Sequence, residues 1–460
     1  MTTTAIGQEA WRDLGGEPAD LERIDASPVG LDSPLDVSGL LADSVGLASL
    51  AVQQIRLDHR QLPDATPIRV RGDRIATSAR SERYLTIDGI APDVWAPLSG
   101  FWQTRDGWVR THGNYPHHAQ RLAQLLGVAP DAGRTTVAES FAEWSALDLE
   151  SSAQSWGAIV GAVRTPEEWA QHPHARHLAS QPLIHIDHAP GASARMHTRG
   201  ATPLDGVRVL DLTRVIAGPV ATRNLALAGA TVVRVDSPRL PEIWWQHLET
   251  GPGKLSTTLD LGETGDRATL DTLLRDADVV VTGYRPGGLD RYGLSQQALV
   301  ERFPGLVVGT ISAWGLDGPW AHERGFDSIV QAVTGIAAVH SSTGSTPGAL
   351  PAQALDHSAG HFLTAGVVKA LQRQREYGGT FHVSISLAGI AHRLLQTTGT
   401  AGSPDVDHAP TVQTGVTTVG KVTCAAPPII GPGIPDLYPA LATPWGGDPA
   451  AWPPSATSRC

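Results

Sequence analysis

The sequence predicts an α/β fold: an open, parallel, doubly wound (Rossmann-like) sheet with a smaller α+β domain beside it. Three observations predict it. Between Pro203 and Gly335, short β-branched runs alternate with amphipathic runs of crossover length, the pattern of parallel strands joined by helices. Tight-turn residues, Ala217-Gly218-Pro219 and Tyr284-Arg285-Pro286-Gly287, follow two of those runs directly. A chain of 460 residues also exceeds one compact core, so two or three domains are expected.

The elements follow in chain order. Residues 1–30 are polar and are expected to form a flexible N-terminal arm. Residues 31–188 are expected to be the small α+β domain. In it, Val37–Ile55 is helix-like and residues 61–95 alternate in short β-like pieces. Ser99–Gly127 reads as a strand, a turn at Arg105–Gly107, a second strand and an amphipathic helix over Pro116–Leu126. Residues 135–180 read as helical, with Thr165 and Glu168 spaced as a capping box. Ala189–Pro203 has no acidic residue and is rich in Gly, Ala and Pro, as an interdomain linker would be.

Residues 204–402 are expected to hold the sheet. Val207–Leu212 is its first strand, Val220–Ala228 a helix stopped by Gly229, and Thr231–Val235 the next strand. Asp266–Arg275 reads as a helix, Asp278–Val281 and Leu306–Ser312 as strands, and Ser358–Gln374 as a helix. The stretch 403–460 holds 11 of the 34 prolines, which predicts an extended surface segment rather than a third core.

Composition removes several classes of function. A net charge of −11 argues against general nucleic-acid binding, which needs clustered Lys and Arg. No apolar run nears the roughly 20 residues that span a bilayer. Residues 1–20 carry neither a basic start nor an apolar core, so no secretory signal is read and a cytoplasmic location is expected. Cys424 and Cys460 are the only cysteines, expected as free thiols. The histidine groups at His117-His118, 172–177 and 185–188 lack the i, i+4 pair with a nearby Glu that a zincin site requires, so no metal is expected. The 13 tryptophans are expected in cores and interfaces.

Ligands of doubly wound sheets bind beyond the carboxyl ends of strands, near a switch in strand order. Both tight turns lie on that edge. No G-x-G-x-x-G follows a strand, which argues against NAD. Asp356 stands at a helix start in Leu355–Gly360, where a carboxylate is favoured by the helix dipole whether it serves as an ordinary cap or as a reactive group. His357 and His361 read most simply as surface histidines.

The run PLDGVRVLDLTRVIAGPVATRNLALAGATVVRVDSP, continued by GKLSTTLDL, GYRPGGLDRYGL and LDHSAG, resembles the family III CoA-transferases, a superfamily that includes α-methylacyl-CoA racemase. The resemblance covers roughly residues 90–400. It implies that coenzyme A is a substrate and not a resident cofactor, and that acyl-CoA and a carboxylic acid are the reaction partners. It implies a transferase in which Asp356 is the nucleophile, forming a mixed anhydride and then an aspartyl-CoA thioester. By the same resemblance Val215, Ile216 and Ala217 pack against CoA, Leu259 touches the adenine, and Arg285, Arg291 and Arg324 face its phosphates. Each arginine alone reads equally well as a solvated surface charge. Racemases carry a His where this chain has Phe326, which favours transfer over α-proton exchange, because exchange needs an acid/base on each face of the carbon. Gly283 and Gly251 replace two family asparagines, so a non-catalytic acyl-CoA-binding paralogue or subunit is a further alternative. The small-domain block precedes the sheet domain, an order that reads as permuted or as one unit of a longer tandem version. The resemblance also implies an interlocked homodimer, with Ala189–Pro203 and the Pro-rich tail as the threading segments.

Overall fold

The computed structural model describes residues 3–57, 66–195, 200–342, 344–397, 406 and 408–454. Its centre is a seven-stranded sheet in the order Lys254–Thr258, Thr231–Asp236, Arg208–Leu212, Val279–Thr282, Val307–Ser312, Thr380–Ser386 and Ile184–Ala189. The first six run parallel and the last runs antiparallel. The strands read from sequence are present, with ends shifted by a residue. Alternate side chains enter opposite layers, as a pleated strand requires. Val209, Val281, Val307 and Ile311 face the helices Ala217–Leu227 and Ala354–Tyr377. Leu210, Val233, Val280 and Val308 face Leu270, Leu273 and Leu274 of Thr264–Asp276. The order turns back at Arg208–Leu212: the chain goes on to Thr231–Asp236 on one side and later returns to Val279–Thr282 on the other. The loops after those two central strands, 213–217 and 283–287, therefore flank the switch point where a ligand is expected.

The small unit is narrower than 31–188. Gly100–Gln103, Trp108–Thr111 and Val160–Ala162 form an antiparallel sheet. It packs Trp102, Val109, Leu122, Phe141 and Leu149 into its own core. Pro116–Leu126 is the helix read from sequence, and Thr165–Glu168 closes the capping box. Helix Val37–Leu57 belongs elsewhere: Leu40, Leu47 and Val52 share the large core with Leu355, Phe362 and Leu363. Ile184–Ala189 is likewise part of the large sheet. The small sheet docks through Gly161, where an added Cβ would lie 2.8 Å from Val333 and 2.9 Å from Ile329; only glycine permits that approach.

Other expectations are corrected. Residues 5–26 are not a loose arm. Ala5–Asp13 is a helix whose Trp11 and Leu14 are buried in the large core, because a tryptophan and a leucine on one helical face have apolar area to hide. The stretch 61–95 contains the helix Gly72–Ala79, and its residues 61–65 lie outside the described residues. The C-terminal stretch is not wholly extended, since Val412–Thr417 and Gly420–Ala425 pair as a hairpin. Beyond it the chain runs along the outer strand of the large sheet. Gly253 N donates to Ala440 O (3.0 Å) and Asp448 N to Ser256 O (2.8 Å), which covers an otherwise open sheet edge. The linker is pinned rather than free: Gly379 N donates to Ala192 O at 2.8 Å and Arg195 N to Gln374 Oε1 at 3.0 Å.

Candidate active site

Asp356 lies in the first turn of Ala354–Tyr377, and it is buried. Its backbone N–H donates to Asp327 Oδ2 at 2.9 Å. Asp327 begins the helix Asp327–Thr334 and caps the start of the longer helix from outside. Gln331 steadies it: its Nε2 donates to Asp327 Oδ1, while its Oε1 accepts from Leu350 N at 2.8 Å. Two carboxyls thus share a dry site. Burial, and then the Asp327 charge, push the Asp356 carboxyl well above the usual carboxylate range. Asp327 is pushed up to about 6 by burial, against the hydrogen bonds it accepts. Arg110, from the small sheet, is the cation facing Asp327.

The AGP turn packs against the helix that carries Asp356. Gly360, one helical turn further along, lies against it: a Cβ there would sit 2.6 Å from Ala217 O and 2.8 Å from Val220. The central helix and Ala217–Leu227 therefore approach closely at Gly360, one turn from Asp356. Lys254 fixes the turn from below. Its ammonium donates to Asp211 Oδ2 (2.9 Å), Pro219 O (2.9 Å) and Thr222 Oγ1 (2.7 Å).

The remaining predicted contacts divide. Arg285 is exposed on the loop after Val279–Thr282 and donates to His322 O at 3.1 Å. Arg324 lies near it. A Cβ at Gly157 would be 2.8 Å from Arg121 Nη1 and 3.4 Å from Arg324 Nη2. Burial lowers the Arg324 pKa, and the charges of Arg285 and Arg121 lower it further. Arg285 and Arg121 therefore crowd Arg324 with like charge, and Arg121 was not foreseen. Arg291 sits apart on an exposed turn, 4.6 Å over the Tyr292 ring. The Leu259 side chain joins the core layer with Val235 and Leu270.

Two readings of single residues are corrected. His357 and His361 are not surface histidines but buried. His361 Nδ1 and Asn224 Nδ2 are 2.9 Å apart, at the contact between the two helices. Burial holds His357 neutral, lowering it to about 4. This part of the helix is buried on every side, so no polar face marks its period. Phe326, where racemases carry their His, is stacked on His112 of the small domain, with centroids 3.7 Å apart. Burial, then Arg110, depresses His112 to about 3, so the ring is an uncharged wall. Among the described residues no group of three or more His, Cys, Asp or Glu is placed to hold a metal, and no helix is long and apolar enough to cross a membrane. Cys424 is a buried thiol; Cys460 lies outside the described residues.

Residues 204–424 match the family model for CoA-transferase family III. Over that span, just under half of the chain, the sequence is similar to CoA-transferase family III. It is 35% identical to the acetyl-coenzyme A transferase nodX of Hypoxylon pulicicidum, over 43% of this chain and 34% of the relative. It is 29% identical to an acyl-CoA transferase of Gibberella moniliformis over 63% and 55% of the two chains. It is 32% identical to the acetyl-CoA:oxalate CoA-transferase of Acetobacter aceti over 44% and 56%. The chain thus spans between a third and just over half of the length of these relatives. A solved structure of Rv3272 from M. tuberculosis aligns at 31% identity, with 43% of this chain, 59% of that one and a TM-score of 0.40. The family III segment contains Asp356, Asp327 and the AGP turn.

Proposed function

We propose that the protein moves coenzyme A from an acyl-CoA to a carboxylic acid through Asp356. The observation that carries this reading is the Asp356 carboxyl itself: buried, raised in pKa, unmatched by a cation and carried on the helix that packs against the AGP turn, within the segment that matches family III. A perturbed carboxyl in such a crevice is what nucleophilic catalysis requires.

Ionised Asp356 attacks the thioester carbonyl, the C–S bond breaks and CoA thiolate leaves, giving a mixed anhydride. The thiolate attacks the aspartyl carbonyl of that anhydride and expels the donor's carboxylate, leaving an aspartyl-CoA thioester. The acceptor carboxylate then displaces the thiolate. The thiolate takes the acceptor's acyl group from the second anhydride, and the Asp356 carboxylate is restored. In this reading Val215–Ala217 receive CoA on its way to Asp356, and Arg285, Arg324 and Arg121 supply donors suited to its phosphates. Arg110 and the Asp327 cap hold the reacting helix end. We place the protein in the cytoplasm as an interlocked homodimer; a folded monomer at micromolar concentration in analytical ultracentrifugation would exclude that assembly.

Incubation with acetyl-CoA and hydroxylamine, followed by peptide mass spectrometry, tests the covalent step. A hydroxamate on Asp356 is expected. An unmodified Asp356 in protein that binds CoA would instead identify a non-catalytic binding paralogue.

A further inference from the structure

The AGP turn is held in a conformation that its sequence resists. Val215 has φ +69°, in the left-handed region where a β-branched residue is an outlier. Its N–H donates to Glu242 Oε2 at 3.1 Å. The Glu242 side chain is fully enclosed, and four donors converge on it. Oε2 also accepts from Arg234 Nη2 at 2.9 Å, and Oε1 accepts from Ile243 N at 2.9 Å. The fourth is the Tyr115 hydroxyl, 2.5 Å from Oε1. Tyr115 belongs to the small domain, at the entry to Pro116–Leu126. Arg214, the residue before Val215, lies 4.5 Å over the Tyr115 ring and donates to Pro241 O at 2.8 Å.

We propose that Tyr115 and Glu242 are positioning residues that form a latch between the domains. The docked small domain fixes the Glu242 carboxylate, and the carboxylate holds the strained Val215 turn in the shape that receives CoA. Choosing CoA as the ligand rests on the function proposed above; the latch itself does not. The physical reason is that valine leaves the left-handed region unless an external acceptor holds its N–H. Oε1 is held by Ile243 N–H and by the Tyr115 hydroxyl, and of the four donors Tyr115 is the one that the small domain supplies. Burial, and then the Glu242 charge, keep the Tyr115 phenol protonated, as a donor must be.

Two measurements test the latch. In the free protein, amide hydrogen exchange over residues 213–218 should be about tenfold faster in Tyr115→Phe, which keeps the ring and its packing. By calorimetry, Tyr115→Phe should weaken CoA binding about tenfold. It should weaken it less than twofold when Val215→Gly is also present, since glycine needs no latch to hold a positive φ. Unchanged exchange, or equal weakening in the Val215 and Gly backgrounds, would overturn the proposal. If the unmutated protein binds no CoA, the functional reading fails and the exchange experiment alone decides the latch. Should Tyr115→Phe fold poorly, Glu242→Gln takes its place with the same expected outcomes, since it keeps the shape but replaces one acceptor oxygen with an NH2 donor that faces the converging donors.

Discussion

Asp211 and Asp356 are both buried carboxyls at the carboxyl edge of one sheet, yet their surroundings oppose each other. Burial alone would raise both. At Asp211 that push is outweighed by Lys254, Arg234 and the hydroxyls of Thr213 and Thr222, so its carboxyl is held below the usual range. At Asp356 nothing outweighs it, and a second carboxyl, Asp327, adds to it. One site is matched and therefore inert: it shapes the turn. The other is unmatched, and an unmatched buried carboxyl is costly in stability.

The sharpest way to break this comparison is to remove the unmatched charge. Asp356→Asn should lower transfer by at least about 10³-fold, as loss of a nucleophile does, while the protein gains stability. The sign follows from the raised value. In the native protein the protonated Asp356 carboxyl contributes fully below the ordinary value of 3.8, and that contribution is lost as pH rises towards its elevated value. Asparagine does not titrate. The melting temperature of Asp356→Asn should therefore exceed that of the unmutated protein at pH 8, and the two should converge near pH 4. A variant that is less stable at every pH would show Asp356 to be structural, like Asp211.

The reverse experiment is made at the matched site. Lys254→Met leaves Asp211 buried without its nearest cation, and breaking such a pair costs about 3–5 kcal/mol. Urea unfolding should show that loss, and the hydroxamate yield on Asp356 in the protein that remains folded should fall with the distorted turn. A loss below about 1 kcal/mol would mean that Arg234 alone satisfies Asp211.

The contrast also explains what was legible in the sequence. The sheet was legible because its strands are short β-branched runs bounded by Gly and Pro. The matched site and the latch were not. Tyr115 and Glu242 are 127 residues apart, and Asp211 and Lys254 are 43 apart; nothing local marks those pairs. Gly72–Ala79 was missed because an eight-residue segment of mixed apolar and polar residues has too few turns to declare its period. His357 and His361 were misplaced because a helix buried all round shows no polar face to count from, and Ala354–Tyr377 is buried along most of its length.

The smallest expected effect lies at the margin of the site. Arg285 and Arg324 are crowded by like charge, whereas Arg291 is exposed and already stacked on Tyr292. A guanidinium that meets a phosphate from an exposed turn gains less than one held in a crevice, because solvent screens it. Arg291→Ala should therefore weaken CoA binding by about 1.5 kcal/mol, roughly tenfold. Arg324→Ala should weaken it more, since a phosphate there would also relieve the repulsion among three guanidiniums. Calorimetry at two salt concentrations separates the residues: raising salt should shrink the Arg291 effect further than the Arg324 effect. Equal losses at both positions, with equal salt dependence, would mean that the crowding at Arg324 is not where the phosphate sits.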